Sequence, residues 1–108
     1  MKLGIILQSN KPEHIWNTLR FVITVLKAGH KVKTFLMNEG SELESVADTD
    51  DFDISRKIGE YKELGGELYA CGTCLKLRGK KESAVCPVGG MDGLLKMTEE
   101  SDKVLVFG

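Results

Sequence analysis

Leu3–Gly4–Ile5–Ile6–Leu7 followed by Gln8–Ser9–Asn10 decides the fold. A strand with one wet face alternates apolar and polar residues, whereas a strand covered on both faces reads as a short continuous apolar run. Leu3 to Leu7 is such a run, stopped by polar residues, and it predicts a central strand of a parallel sheet. A helix start comes next: Asn10 is placed to cap, Pro12 is tolerated in the first turn, and Glu13 is placed for a reciprocal bond back to the cap. Ile15, Trp16, Leu19, Val22, Ile23 and Leu26 recur at the three-to-four spacing of one helical face, and Gly29 ends the helix. Val32 to Met37 reads as the second strand. Strand, helix and strand in so short a span form a right-handed crossover unit.

Further along, Glu42 to Asp53 holds six carboxylates and little to bury, so it reads as a surface loop. Asp53 caps a helix carrying Ile54, Ile58, Tyr61 and Leu64 and ended by Gly65–Gly66; Gly59 inside it costs about 1 kcal/mol relative to alanine. Glu67 to Ala70 forms a third strand leading into Cys71, and Cys71 to Gly79 forms a short helix after a tight turn. Ala84 to Val88 is expected as a fourth strand carrying Cys86, kept short by Pro87. Gly89–Gly90 opens a last helix through Leu94, Leu95 and Met97, and Lys103 to Phe107 closes the chain as a strand. No repeat, low-complexity tract or linker interrupts the order.

The chain has 108 residues, 15 Lys+Arg against 16 Asp+Glu, and 42% hydrophobic residues, which describes one domain over residues 1–108 with no room for a second. Its net charge of −1 gives no field to recruit nucleic acid, and no stretch approaches the ~18 apolar residues of a membrane span. Leu3 to Leu7 is too short for the core of a signal peptide, so the expected location is cytoplasmic. Three cysteines, an odd number without an export signal, point to thiol or metal chemistry before a disulfide framework.

Loops leaving the carboxyl ends of parallel strands share one edge, where ligands gather. Asn10 and His14, Asn38 and Glu39, Cys71, and Gly89–Gly90 belong to that edge, whereas His30, just before the second strand, belongs to the opposite one. Cys71-x-x-Cys74 is the most informative constellation. A thiol opening a helix sits at the positive end of the backbone dipole, and Lys76, Arg78, Lys80 and Lys81 add positive potential, so a nucleophilic thiolate at Cys71 is expected. Three readings compete with it. In the first, Cys71 and Cys74 are buried structural residues, against which Gly72, Thr73 and the basic run after them read as an exposed turn. In the second, Cys71, Cys74 and Cys86 hold zinc or an iron–sulfur cluster, although a closed zinc site needs four ligands and only His14 is on hand to complete it. The third, a thioredoxin-like exchange site, conflicts with the late position of the pair. Gly89–Gly90 offers backbone N–H groups to an anion or simply makes a tight turn, Trp16 sits on the buried stripe, and Glu39 orients a proton donor or is only solvated.

Four stretches resemble the DsrE/DsrF-like proteins, which include small subunits of bacterial sulfur relays. They are Trp16–Asn17–x–Leu19–Arg20–Phe21; Ala28–Gly29–His30–x–Val32 running to Phe35–Leu36–Met37–x–x–Gly40; Cys71–x–x–Cys74–x–x–x–Arg78–Gly79; and Val88–Gly89–Gly90–Met91 leading to Ser101–Asp102–Lys103–Val104. The resemblance implies a three-layer α/β/α fold on a five-stranded, mainly parallel sheet, assembled into homo-oligomers, trimers or hexamers. It also implies a cysteine before Arg–Gly that takes sulfane sulfur as a persulfide from a donor protein and passes it to an acceptor. Counted back from Arg78–Gly79, that cysteine is Cys71. Cys74, where relay members often have a small residue, and Cys86 depart from the relay pattern, and the consequence is that a neighbouring thiol could attack the persulfide, release hydrosulfide and leave a disulfide instead of simply passing sulfur on. Catalytic roles therefore fall to Cys71 and Cys74, and substrate contacts to Asn10, His14, Glu39, Gly89 and Gly90. No cofactor and no metal is expected.

Overall fold

The computed structural model describes residues 1–108. Its elements in chain order are β1 (Lys2–Leu7), α1 (Pro12–Lys27), β2 (Lys31–Leu36), a 3-10 helix (Asn38–Ser45), α2 (Ile54–Glu63), β3 (Glu67–Cys71), α3 (Gly72–Leu77), β4 (Val88–Gly89), α4 (Met91–Glu100) and β5 (Lys103–Phe107). The five strands stand in the order β4-β3-β2-β1-β5, and every neighbouring pair is parallel. The expected five-stranded parallel sheet is thus present, and it is parallel throughout.

Handedness distributes the helices. The steps β1 to β2, β2 to β3 and β3 to β4 all move the same way across the sheet, so right-handed crossovers put α1, α2 and α3 on one face. The step from β4 to β5 runs back across the whole sheet and puts α4 alone on the other. Side chains follow: Leu3, Ile5 and Leu7 of β1 share one core with Ile15, Leu19 and Val22 of α1, Ile54 and Tyr61 of α2, and Leu75 of α3. On the opposite face Phe35, Cys71 and Met97 form a small cluster, with Ile6, Tyr69 and Leu94 partly buried around it. This is the expected three-layer α/β/α architecture.

Three local expectations are corrected. Asn10 does not cap α1; Lys11 takes that position with extended backbone and no side-chain bond, Pro12 enters the first turn, and the Asn10 amide reaches Glu42 instead, at 3.4 Å. The acidic stretch is no bare loop, because the 3-10 helix buries Gly40, Ser41 and Leu43, and Val46 and Phe52 pack on the core beyond it. Phe52 meets the half-buried Trp16 edge-on, with ring centroids 5.9 Å apart. The fourth strand is confined to Val88–Gly89, with Cys86 and Pro87 before it, since proline has no N–H to give to a ladder; its carbonyl still accepts from Ala70 N–H at 2.9 Å.

The other boundaries follow their sequence signals. Asp53 accepts from Arg56 N–H at the start of α2, and the chain turns after α1 through Gly29 at φ +91°.

Candidate functional site

Alternation along β3 sends Leu68 and Ala70 toward α1 and α2, and Tyr69 and Cys71 toward α4. Cys71 is consequently buried, 5% exposed, against Phe35 and Met97. This overturns the exposed turn inferred from Gly72, Thr73 and the basic run. Cys71 is also the residue from which α3 springs, but α3 is only six residues long, so hydrogen bonds from named groups matter more than its dipole.

Cys74, half-buried one turn later, lies at the centre of the polar contacts. Its Sγ accepts a hydrogen bond from the backbone N–H of Asn38 at 3.2 Å. Burial, and after it the neighbouring Cys71 thiol, push the Cys74 thiol up, while the Asn38 N–H and the Arg78 charge oppose them. Arg78 donates through Nε to Glu42 Oε2 at 2.8 Å and through a terminal nitrogen to the Cys74 carbonyl at 3.2 Å. The Arg78 guanidinium, and then the Asn10 amide, hold the Glu42 carboxyl below its ordinary value. Asn10, Glu42, Arg78 and Cys74 therefore form one chain of contacts that joins the loop after β1, the 3-10 helix and α3.

Asn38 itself has φ +53°, a left-handed conformation that asparagine tolerates better than most residues. Its amide nitrogen donates to Gln8 Oε1 at 2.7 Å, and its carbonyl accepts from Ser41 Oγ at 2.7 Å. Two residues on, the chain passes so close to β1 that a Cβ on Gly40 would lie 2.0 Å from the Leu7 carbonyl oxygen. Only glycine fits there.

The remaining candidates divide. Gly89 pairs with Cys71 across β3 and β4, and Gly90 precedes α4. Both line a cavity of about 370 Å³ with Phe35, Tyr69, Lys33 and Lys96. Glu39 is exposed, and its charge reaches Arg78. His14, in the first turn of α1, is exposed and engaged with Ser9 Oγ at 2.8 Å. His30 lies at the opposite edge, where its Nδ1 meets the Met1 amino group at 2.7 Å.

Cys86 belongs to the α1 side of the sheet, packed with Leu75 and Leu43. Burial, with the Glu44 carboxylate second, pushes its thiol up to about 12. The three cysteines thus lie in two separate environments. Cys86 stands apart from Cys71 and Cys74, and no group of three His, Cys, Asp or Glu side chains is gathered at one point.

Sequence reading missed Glu42 and the structural role of Asn38. Glu42 was lost among its acidic neighbours, and its partner Arg78 is distant in sequence. For Asn38 a signal existed: an asparagine directly after a strand, two residues before a glycine, marks a left-handed turn.

No helix is long and apolar enough to cross a membrane. The fold is shared with the crystal structure of ychN protein from E. coli, at TM-score 0.81 and 21% identity, covering 99% of this chain and 100% of that one. The uncharacterized protein MK0008 of Methanopyrus kandleri is 32% identical, covering 88% of this chain and 83% of its own length. The uncharacterized protein MJ0989 of Methanocaldococcus jannaschii is 30% identical, covering 88% of each chain. The profile of the DsrE/DsrF-like family matches residues 1–107, and with the fold and the cysteine site in place the chain belongs to that family.

Proposed function

We propose that residues 1–108 act as one DsrE-like unit of a sulfur relay, cytoplasmic and homo-oligomeric, carrying sulfane sulfur on Cys71 with Cys74 as the second thiol. Family membership supports the relay-type role, and the observation that carries the site is the meeting of two free thiols at the β3–α3 junction. In loading, the Cys71 thiolate attacks the outer sulfur of a donor persulfide. The new S–S bond forms on Cys71, the donor's S–S bond breaks, and the donor leaves as its thiolate. An acceptor thiolate takes the outer sulfur onward by the same exchange. In resolution, the Cys74 thiolate attacks Cys71 Sγ and displaces hydrosulfide, so the thiol pair is oxidised to a disulfide as the sulfane sulfur is reduced. A dithiol reductant returns the pair to its starting state.

Self-association has its own support: Val106, Leu95, Met91 and Val88 are each about half exposed, and the first two lie on the sheet face and helix of the thin α4 layer.

Intact mass after incubation with a persulfide donor tests the reading. One added sulfur, localised to Cys71, is the expected result. Cys71→Ser should abolish loading, while Cys74→Ser should load and keep its sulfur longer. Wild-type loading by a folded Cys71→Ser protein overturns the assignment, and no loading of the wild type overturns the sulfur-carrier reading itself.

A further inference from the structure

Asn38 holds an uncommon backbone conformation next to the half-buried thiol. A non-glycine residue with positive φ is uncommon, costs of order 1 kcal/mol, and persists only where its surroundings enforce it. Here the enforcement comes from three directions. The Asn38 side chain is tied to Gln8 at the end of β1, its carbonyl is tied to Ser41, and Gly40 presses the following turn against Leu7. The product of that constraint is a backbone N–H aimed at Cys74 Sγ, 3.2 Å away. A fixed N–H beside sulfur strengthens as the sulfur becomes negative, because a charge-assisted hydrogen bond is roughly twice as strong as a neutral one.

We propose that Asn38 is the positioning residue of Cys74, its left-handed backbone placing an N–H donor that stabilises the Cys74 thiolate. The role in resolution rests on the sulfur-carrier reading; the donor function does not. The thiolate that must attack Cys71 is otherwise disfavoured by burial and by the neighbouring Cys71. The titratable and charged groups around it are few. Cys71 faces it from the end of β3 and Arg78 from α3, while Glu42 and Glu39 of the 3-10 helix act on Arg78. Arg78 is itself paired with Glu42 at 2.8 Å, so its charge is partly spoken for, and the Asn38 N–H is the direct hydrogen bond to the sulfur.

The test follows the rate of Cys74 alkylation by iodoacetamide against pH, resolved from Cys71 and Cys86 by peptide mass, in the full chain. Glycine adopts the left-handed conformation without cost, so Asn38→Gly keeps the N–H in place while losing the side-chain tie. Asn38→Val penalises that conformation most, and Asn38→Ala is the milder second variant should the valine protein not fold. Expected are a wild-type profile for Asn38→Gly and an alkaline shift of about one pH unit for Asn38→Val or Asn38→Ala, read as roughly tenfold slower alkylation near pH 8. A side chain acting only through stability would leave the profile unmoved in every folded variant, and that result overturns the proposal. So does an equal shift in Asn38→Gly. Persulfide loading is measured separately: its absence beside the expected alkylation pattern sinks the sulfur-carrier reading and leaves the Asn38 donor standing.

Discussion

On the α1 side of the sheet, 17 buried residues from three helices, the 3-10 helix, three strands and the loop before β4 form one core; on the α4 side only Phe35, Cys71 and Met97 are fully buried. The asymmetry comes from topology, since three crossovers cover one face and a single long return covers the other. Its chemical consequence appears in the cysteines. Cys86 lies in the thick core and is held protonated far above neutrality, whereas Cys71 lies under the thin layer next to the half-buried Cys74. A thiol needed for exchange belongs where little has to move to uncover it.

The sharpest way to break this comparison uses two neighbours on one strand. Ile5 is fully buried toward α1 and Ile6 is partly buried toward α4. Ile5→Ala should cost about 3 kcal/mol, by lost transfer energy and the cavity left behind, and Ile6→Ala about 1 kcal/mol. Urea unfolding measures both. Equal losses would mean the α4 layer is as well packed as its counterpart.

Buried polar groups give the next contrast. Tyr61 is fully buried, with its hydroxyl within 3.0 Å of Thr34 Oγ1 and donating to the Glu67 carbonyl at 2.7 Å. Tyr69, on the other face, donates to the exposed Glu67 carboxylate at 2.7 Å. Tyr61→Phe leaves buried acceptors unpaired and should lower stability by about 1–2 kcal/mol, whereas Tyr69→Phe should change it by no more than about 0.5 kcal/mol. Comparable losses would show that the two hydroxyls are equally shielded.

These contrasts also mark how far the sequence carries. β1, α1 and β2 are legible because Leu3 to Leu7 and the Ile15 to Leu26 stripe express burial directly in residue type and period. Leu43 is not, because it sits between Glu42 and Glu44 in a 3-10 helix too short to show a period, although it is 1% exposed. The edge rule places Cys71, Asn38 and Gly89 together, since strand order alone decides it. Burial of Cys71 depends on alternation along β3 and on α4 returning over that face, a long-range fact absent from the local Gly72–Thr73 pattern. The Glu42–Arg78 pair is equally non-local, and Asn38's role depends on a backbone angle that sequence states only as a preference.

Surface substitutions on the thin side should be nearly neutral for folding and decisive for assembly. Val106→Asp, at a side chain 58% exposed, should change monomer stability by about 0.5 kcal/mol or less while lowering the mass read by light scattering at micromolar concentration. A wild-type monomer mass would remove the self-association proposal, and an unchanged oligomer in Val106→Asp would move the interface off β5.

The smallest effect tests the thick side by titration. An unfolded cysteine ionises near pH 8.5, and folded Cys86 near 12. Between those values the folded chain keeps a proton that the unfolded chain has released, so this contribution to stability is complete below about pH 8.5 and is lost as pH rises toward 12. The raised Cys74 and Tyr61 act in the same sense, which makes the difference between proteins the informative quantity. Cys86→Ala loses packing at every pH, but its stability should fall less steeply than the wild type between pH 8 and 10, below most tyrosine ionisation. Native Cys86 should also resist alkylation at pH 8 and react once urea unfolds the chain, while Cys71 and Cys74 label in the folded state. Parallel stability curves, or labelling of native Cys86 as fast as Cys74, would place all three thiols in equivalent surroundings and erase the distinction between the two faces.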